Sequence, residues 1–281
     1  MGGQRRIWLC ADDYGIAPGV STAIRDLVVR GHLNAASAMM PAPSCSRSEA
    51  RALNMLNATA PRVAIGLHVT LTAPFRPLSM DYAPLRDGAF LPLAETLRLA
   101  LLRRLRRDPL RREVEAQLHA FIDLFGRPPD FVDGHQHVQL FPQIRDAVLL
   151  ATRELAPSAW LRQCGRSLPL ARRFADRKGL LLDLLSRGFR RRARQLGLRT
   201  NPGFAGTYDY GAPADFPALF PRFLEGLPDG GVVMCHPGFV DAELQRLDPL
   251  TDLREREYAF FAQSSFPDLL AAHGATLAGG R

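Results

Sequence analysis

Two adjacent carboxylates, Asp12 and Asp13, and two histidine-bearing runs, Gly66-Leu67-His68 and Asp133-Gly134-His135-Gln136-His137, each follow a short apolar stretch. Carboxylates and neutral imidazoles are the ligands of zinc and similar divalent ions, whereas magnesium prefers oxygen. Asp13, His68 and His135 make a three-ligand set. Such a set leaves positions open to water and substrate, which marks a catalytic rather than a structural site. On an extended strand His137 would share a face with His135; a turn after Gly134 would leave only one of them as a ligand. On a regular strand the side chain of Asp12 diverges from that of Asp13, so one can hold a metal while the other acts as general base on a metal-activated water. A fourth run, Cys235-His236-Pro237-Gly238, offers His236 as the complementary acid. Base, positive charge and acid together suit amide hydrolysis. The same two histidines and one carboxylate also suit an iron(II) facial triad, so an oxidative enzyme is the alternative.

To bring these groups together, several strands must end at one place. Residues 7–11, 35–40, 63–71, 131–132, 159–161 and 231–235 read as strands, with the polar runs at or near their ends. Between them, helical spacing begins with a helix capped by Ser21 that stops at Gly31. It continues over 44–57, over 110–125, and from Pro142 to about Leu155. Long basic spacing covers 168–196, followed by 216–224, 252–263 and 266–273. This alternation predicts a mostly parallel sheet with helical crossovers. Four contributing strand ends favour a distorted (β/α) TIM-like barrel over an open doubly wound sheet. We therefore expect one domain over residues 1–281, with a basic helical segment at about 168–199. The proline-rich segment 72–88 reads as a long irregular loop of the kind that often forms a lid. His32, His119 and His273 fall on or near helices and read as surface or satisfied core.

The composition, 47% hydrophobic and 23% charged over 281 residues, is that of a globular protein with a large core. Four widely spaced cysteines without a C-x-x-C pair speak against a disulfide framework and fit a reducing cytoplasm. No apolar run approaches the roughly 18 residues of a spanning helix. The formal net charge of +8 is concentrated in two arginine clusters, within 103–112 and 172–199. Those clusters lack interleaved aromatics and any recognition motif, which disfavours nucleic-acid binding. The leucines at 180–185 followed by arginines fit a barrel-wall or homodimer face, or a peripheral contact with a membrane surface and a lipid substrate.

Four runs in this order, Ala11-Asp12-Asp13-Tyr14-Gly15, Gly66-Leu67-His68-Val69-Thr70-Leu71, Asp133-Gly134-His135-Gln136-His137-Val138-Gln139-Leu140-Phe141-Pro142 and Cys235-His236-Pro237-Gly238, resemble the YdjC-like carbohydrate deacetylases. That family includes chitooligosaccharide deacetylases and a branch associated with hopanoid lipid biosynthesis. The resemblance spans residues 6 to 265. It implies a metal-dependent hydrolase that removes an N-acetyl group from an acetylated sugar or glycolipid, within a distorted (β/α) barrel. It implies one divalent ion, Mg2+ or Zn2+, held by Asp13, His68 and His135, with Asp12 as base and His236 as acid. It further implies substrate contacts from Arg162 and, through its place in the pocket, His137. Many relatives carry a third histidine where this chain has Gln139, so that position is not expected to hold the metal.

Overall fold

The computed structural model describes residues 4–167, 177–210 and 214–279. The strands are β1 (Arg5–Tyr14), β2 (Ala35–Ala38), β3 (Ala64–Val69), β4 (Phe131–Gly134), β5 (Trp160–Leu161), β6 (Phe204–Ala205), β7 (Val232–Cys235) and β8 (Ala275–Leu277). Every pairing among them is parallel. They run in the order β5-β4-β3-β2-β1-β7-β6, and β8 pairs with the first residues of β1. Isolated parallel bridges, Leu161 to Thr200 and Arg166 to Phe204, carry the β5 end of the sheet round towards β6. The helices are α1 (Pro18–Val29), α2 (Arg47–Met55), α3 (Leu93–Leu101), α4 (Arg107–Phe125), α5 (Ile144–Leu155), α6 (Arg177–Gln195), α7 (Phe216–Leu224), α8 (Ala242–Leu247), α9 (Asp252–Phe261) and α10 (Phe266–Ala272). The fold is the expected TIM-like α/β architecture. The part of the basic helix expected over 168–176 lies outside the described residues.

All of β2, β3, β4 and β7 is buried, without the inside–outside alternation of a half-solvated strand. A parallel sheet covered by helices requires this. Small residues let the strands and their cover approach closely. A Cβ on Gly66 would lie 2.3 Å from the Phe131 ring on the neighbouring strand.

The helix boundaries show where local signals mislead. Ser21 does not cap α1. The cap is Ala17, Pro18 opens the first turn, and the Ser21 hydroxyl accepts the Gly15 N–H from inside the helix. For α2 the cap is Ser46, whose hydroxyl accepts from Glu49 N–H. Helix α4 stops at Gly126, which adopts a left-handed φ of 73°.

The expected loop after β3 exists, but it is strapped down. Buried Glu113 on α4 accepts the N–H groups of Leu78 and Ser79, and Phe90 N–H donates to Phe75 carbonyl. Tyr82 packs edge-on against Phe90 at 5.0 Å. These contacts set Phe75 edge-on against His135, 5.8 Å away, so the loop forms one wall of the site.

Candidate metal centre

The strand β1 brings two adjacent carboxylates to one place because it is irregular. Its register with β2 shifts between Ala11 and Tyr14, and Asp13 adopts φ 67°. A regular strand would send Asp12 and Asp13 to opposite faces. The irregularity brings both to His68: Asp13 Oδ1 lies 3.3 Å and Asp12 Oδ2 4.0 Å from its Nε2. Asparagine and aspartate are the non-glycine residues that best tolerate this left-handed conformation.

His68, on β3, is oriented from behind. Its Nδ1 donates to Asp133 Oδ1 at 2.6 Å, and the Ser37 hydroxyl donates to the same oxygen. Nε2 is thereby aimed at Asp13. His135 approaches Asp13 Oδ1 through Nδ1 at 3.0 Å. Gly134 is extended, and the chain then turns through a 3-10 segment, His135–Leu140, in which Gln136 and His137 take φ 54° and 61°. This turn separates the two histidines. His135 joins Asp13 and His68, whereas His137 points its Nδ1 at Cys164 Sγ, 3.5 Å away, and its ring edge at Phe204.

Asp13, His68 and His135 present ligand atoms within 4.8 Å of one another, all buried. Donors around a tetrahedral ion with bonds of about 2.1 Å lie roughly 3.4 Å apart, which matches the 3.0 and 3.3 Å separations at Asp13 Oδ1. The donor set of one carboxylate oxygen and two imidazoles, one braced by a carboxylate, fits a divalent ion.

Two buried arginines complete the electrostatics. Arg162 is fully buried and holds Asp12 with both ends of its guanidinium, at 2.6 and 2.7 Å, and lies 3.0 Å from Asp133 Oδ2. It is thus engaged by two carboxylates and exposes no surface for a substrate contact. Gln139 donates to the Arg162 carbonyl at 3.1 Å. Arg254 on α9, also fully buried, bridges Asp13 Oδ2 at 2.6 Å and Asp248 at 2.7 Å. Burial alone would raise the Asp13 pKa, yet Arg254 and then His135 hold it well below the usual carboxylate range. Burial would lower His68, but Asp133 and Asp12 push it up to about 10 in the metal-free protein. His137, desolvated and facing Arg162, falls to about 3 and is a neutral imidazole.

His236 follows β7 and faces the cluster from the other side, its Nε2 4.0 Å from Asp12 Oδ2. No side chain among the described residues bonds its Nδ1. The residue is placed through its backbone: its N–H donates to Glu257, whose other oxygen accepts the Tyr208 hydroxyl at 2.7 Å. Tyr210 meets the ring edge-on at 5.7 Å. Arg254 and Glu257 are three residues apart, so one face of α9 supports both Asp13 and His236. Sequence reading assigned no role to Asp133, Arg254 or Glu257. Asp133 was visible in its motif. The α9 pair carried only the signal of two charges at helical spacing in a charge-rich stretch.

A family model described as YdjC-like protein matches residues 6–272. A protein of Citrobacter koseri named chitooligosaccharide deacetylase is 29% identical over 248 residues, 85% of this chain and 83% of that protein. Among solved structures, a protein of Enterococcus faecalis V583 named for cellobiose-phosphate cleavage superposes with a TM-score of 0.74 at 21% identity, covering 99% of this chain and 98% of that one. The peptidoglycan N-acetylglucosamine deacetylase Bc1960 superposes with a TM-score of 0.52 at 9% identity, covering 97% and 85%. At these identities, both structures speak to the fold alone.

Proposed function

The chain belongs to the YdjC-like protein family, and from that premise we propose that it is a divalent-metal-dependent hydrolase that removes the N-acetyl group from an acetylated amino sugar. The observation that carries this reading is the placement of Asp12 Oδ2 at 4.0 Å from both His68 Nε2 and His236 Nε2. This spacing supports Asp12 as a base beside the proposed ligand trio and His236 as an acid beyond it. The relative named chitooligosaccharide deacetylase supports the substrate class.

Asp13, His68 and His135 would hold the ion. Once bound, it supplies an acidified water and a positive charge for the oxyanion. Asp12 takes the proton from the attacking water. Arg162 occupies one lone pair of each Asp12 oxygen and leaves others for this work, so it is a positioning residue for the base. His236 gives a proton to the departing amine. His137, neutral and half-buried beside Phe204, shapes the pocket wall and contacts the sugar. The ligand trio alone would equally serve iron(II), but amide hydrolysis needs a base and acid on either side and oxygen activation does not.

The test is acetate release from a panel of N-acetylated sugars and glycolipids, after chelation and after adding back zinc, magnesium, manganese or cobalt. The expected result is metal-restored release that Asp12→Asn and His236→Ala abolish. No release from any panel member, or release that survives Asp13→Ala, overturns the proposal.

A further inference from the structure

The end of the barrel that carries the site also carries most of the exposed large apolar side chains among the described residues. Met80 is 102% exposed and Leu78 41%, both on the strapped loop after β3. Leu101 and Leu102, at the end of α3, are 50% and 54% exposed. The Leu105 backbone, which follows them, pairs in both directions with the Gln143 side chain, just after the turn that bears His135 and His137. Arg103, Arg104, Arg106 and Arg107 are exposed around these leucines.

Helix α6 lies at the same end. Asp183 accepts the Arg166 N–H and Ser186 the Cys164 N–H, both just past β5, and Arg192 pairs with Asp146 at the start of α5. Its outward residues pass from Leu181 and Leu184 to Arg187, Arg191 and Arg194.

We propose that this end of the barrel docks on an anionic lipid bilayer, with the leucines and Met80 entering the interface and the arginines meeting lipid phosphates. Apolar side chains ringed by arginine are the composition of an interfacial binding face. A nucleic-acid backbone would use the arginines and leave the leucines in water. Exposed leucine and methionine gathered at one end of a barrel are otherwise a solubility liability. Docking in this pose turns the end of the barrel that carries the site towards the membrane surface, so a substrate with a lipid tail could reach that end without leaving the bilayer. The docking itself does not depend on the proposed deacetylation, and its test reads binding rather than turnover.

The experiment is co-sedimentation with sucrose-loaded vesicles of phosphatidylcholine alone or mixed with phosphatidylglycerol, at low and high salt. The intact chain should pellet with the anionic vesicles at low salt and remain in solution with neutral ones. Met80→Asp/Leu102→Asp and Arg103→Glu/Arg104→Glu should each lower the bound fraction about fivefold or more, because both the apolar and the charge terms are required. Both double variants should keep wild-type circular dichroism and turnover of a soluble substrate. No pelleting overturns the proposal. Undiminished pelleting of Met80→Asp/Leu102→Asp overturns it too, since charge alone would then explain the binding. A dimer in light scattering that this variant dissolves, without vesicle binding, assigns the face to a second copy instead.

Discussion

Replacing Asp133 with asparagine isolates the contribution of one carboxylate that lies behind the proposed ligand His68. Asp133 Oδ1 accepts from His68 Nδ1 at 2.6 Å and from Ser37, and Oδ2 faces Arg162 at 3.0 Å. Asparagine keeps the shape and loses one acceptor. If its oxygen stays on His68, its amide N–H groups confront the Arg162 guanidinium, donor against donor. If it flips, the amide donates to His68 Nδ1, and the ring proton moves to Nε2, the atom that must be bare to bind metal. Either arrangement costs affinity. Losing such an orienting carboxylate typically weakens metal binding 10–100-fold, or about 1.4–2.8 kcal/mol. The assay is competition for zinc or cobalt against a chromophoric chelator, with a thermal melt of the metal-free variant to confirm folding. Wild-type affinity in Asp133→Asn, with His68→Ala and Asp13→Ala both losing the ion, would refute the orienting role.

Other consequences are equally direct. His68 in the metal-free protein sits at about 10 and must lose its proton to bind. Zinc uptake at pH 8 should therefore release about one proton and tighten as pH rises, read by calorimetry in buffers of different ionisation enthalpy; equal heats across buffers would count against it. Because the folded pKa lies above the unfolded value of about 6.5, the same group stabilises the metal-free fold fully below that pH. That stability is lost as pH climbs through about 10, visible as a falling midpoint in urea. Glu257→Ala removes the acceptor that places His236, a charge-assisted bond worth about 1.5–3 kcal/mol, and should lower kcat roughly tenfold with KM and metal content unchanged. Glu257→Gln, which can still accept one bond and donate the other, should recover most of that kcat. Gly66→Ala forces a methyl into the Phe131 ring and should cost about 1–3 kcal/mol in denaturant unfolding.

The convergence of Asp13, His68 and His135 was legible because each ends an apolar run, and the barrel was legible from how many runs end that way. What the residues do locally was harder to read. Nothing in Ala-Asp-Asp-Tyr announces an irregularity that turns both carboxylates inward, since the backbone choice is made by the neighbouring strands. The two-residue β5 was read at 159–161, whereas the equally short β6 carries too little pattern to register and went unread. So did α3, and β8, whose pairing with β1 depends on chain far away in sequence. Arg162 was visible as a recurring position, but its burial between Asp12 and Asp133 depends on the approach of β1, β4 and β5. Arg254 and Glu257 sit in Asp-Leu-Arg-Glu-Arg-Glu-Tyr, which reads as a solvated face; only packing decides which charges turn inward.

The Asp13–Arg254 contact joins residues 241 positions apart, and β1 also takes β7 and β8 as partners from the far end of the chain. A contact that distant forms only after a large loop has closed, so folding should be slow and its last stage should be the one that finishes the site. During synthesis β1 emerges before Arg162 and Arg254, the arginines that balance Asp12 and Asp13 in the fold. Until β7 leaves the ribosome, that strand has one of its two sheet edges unpaired. Such nascent chains are the ones that chaperones hold, and this protein should depend on them more than a barrel of the same size whose first strand lies at a sheet edge.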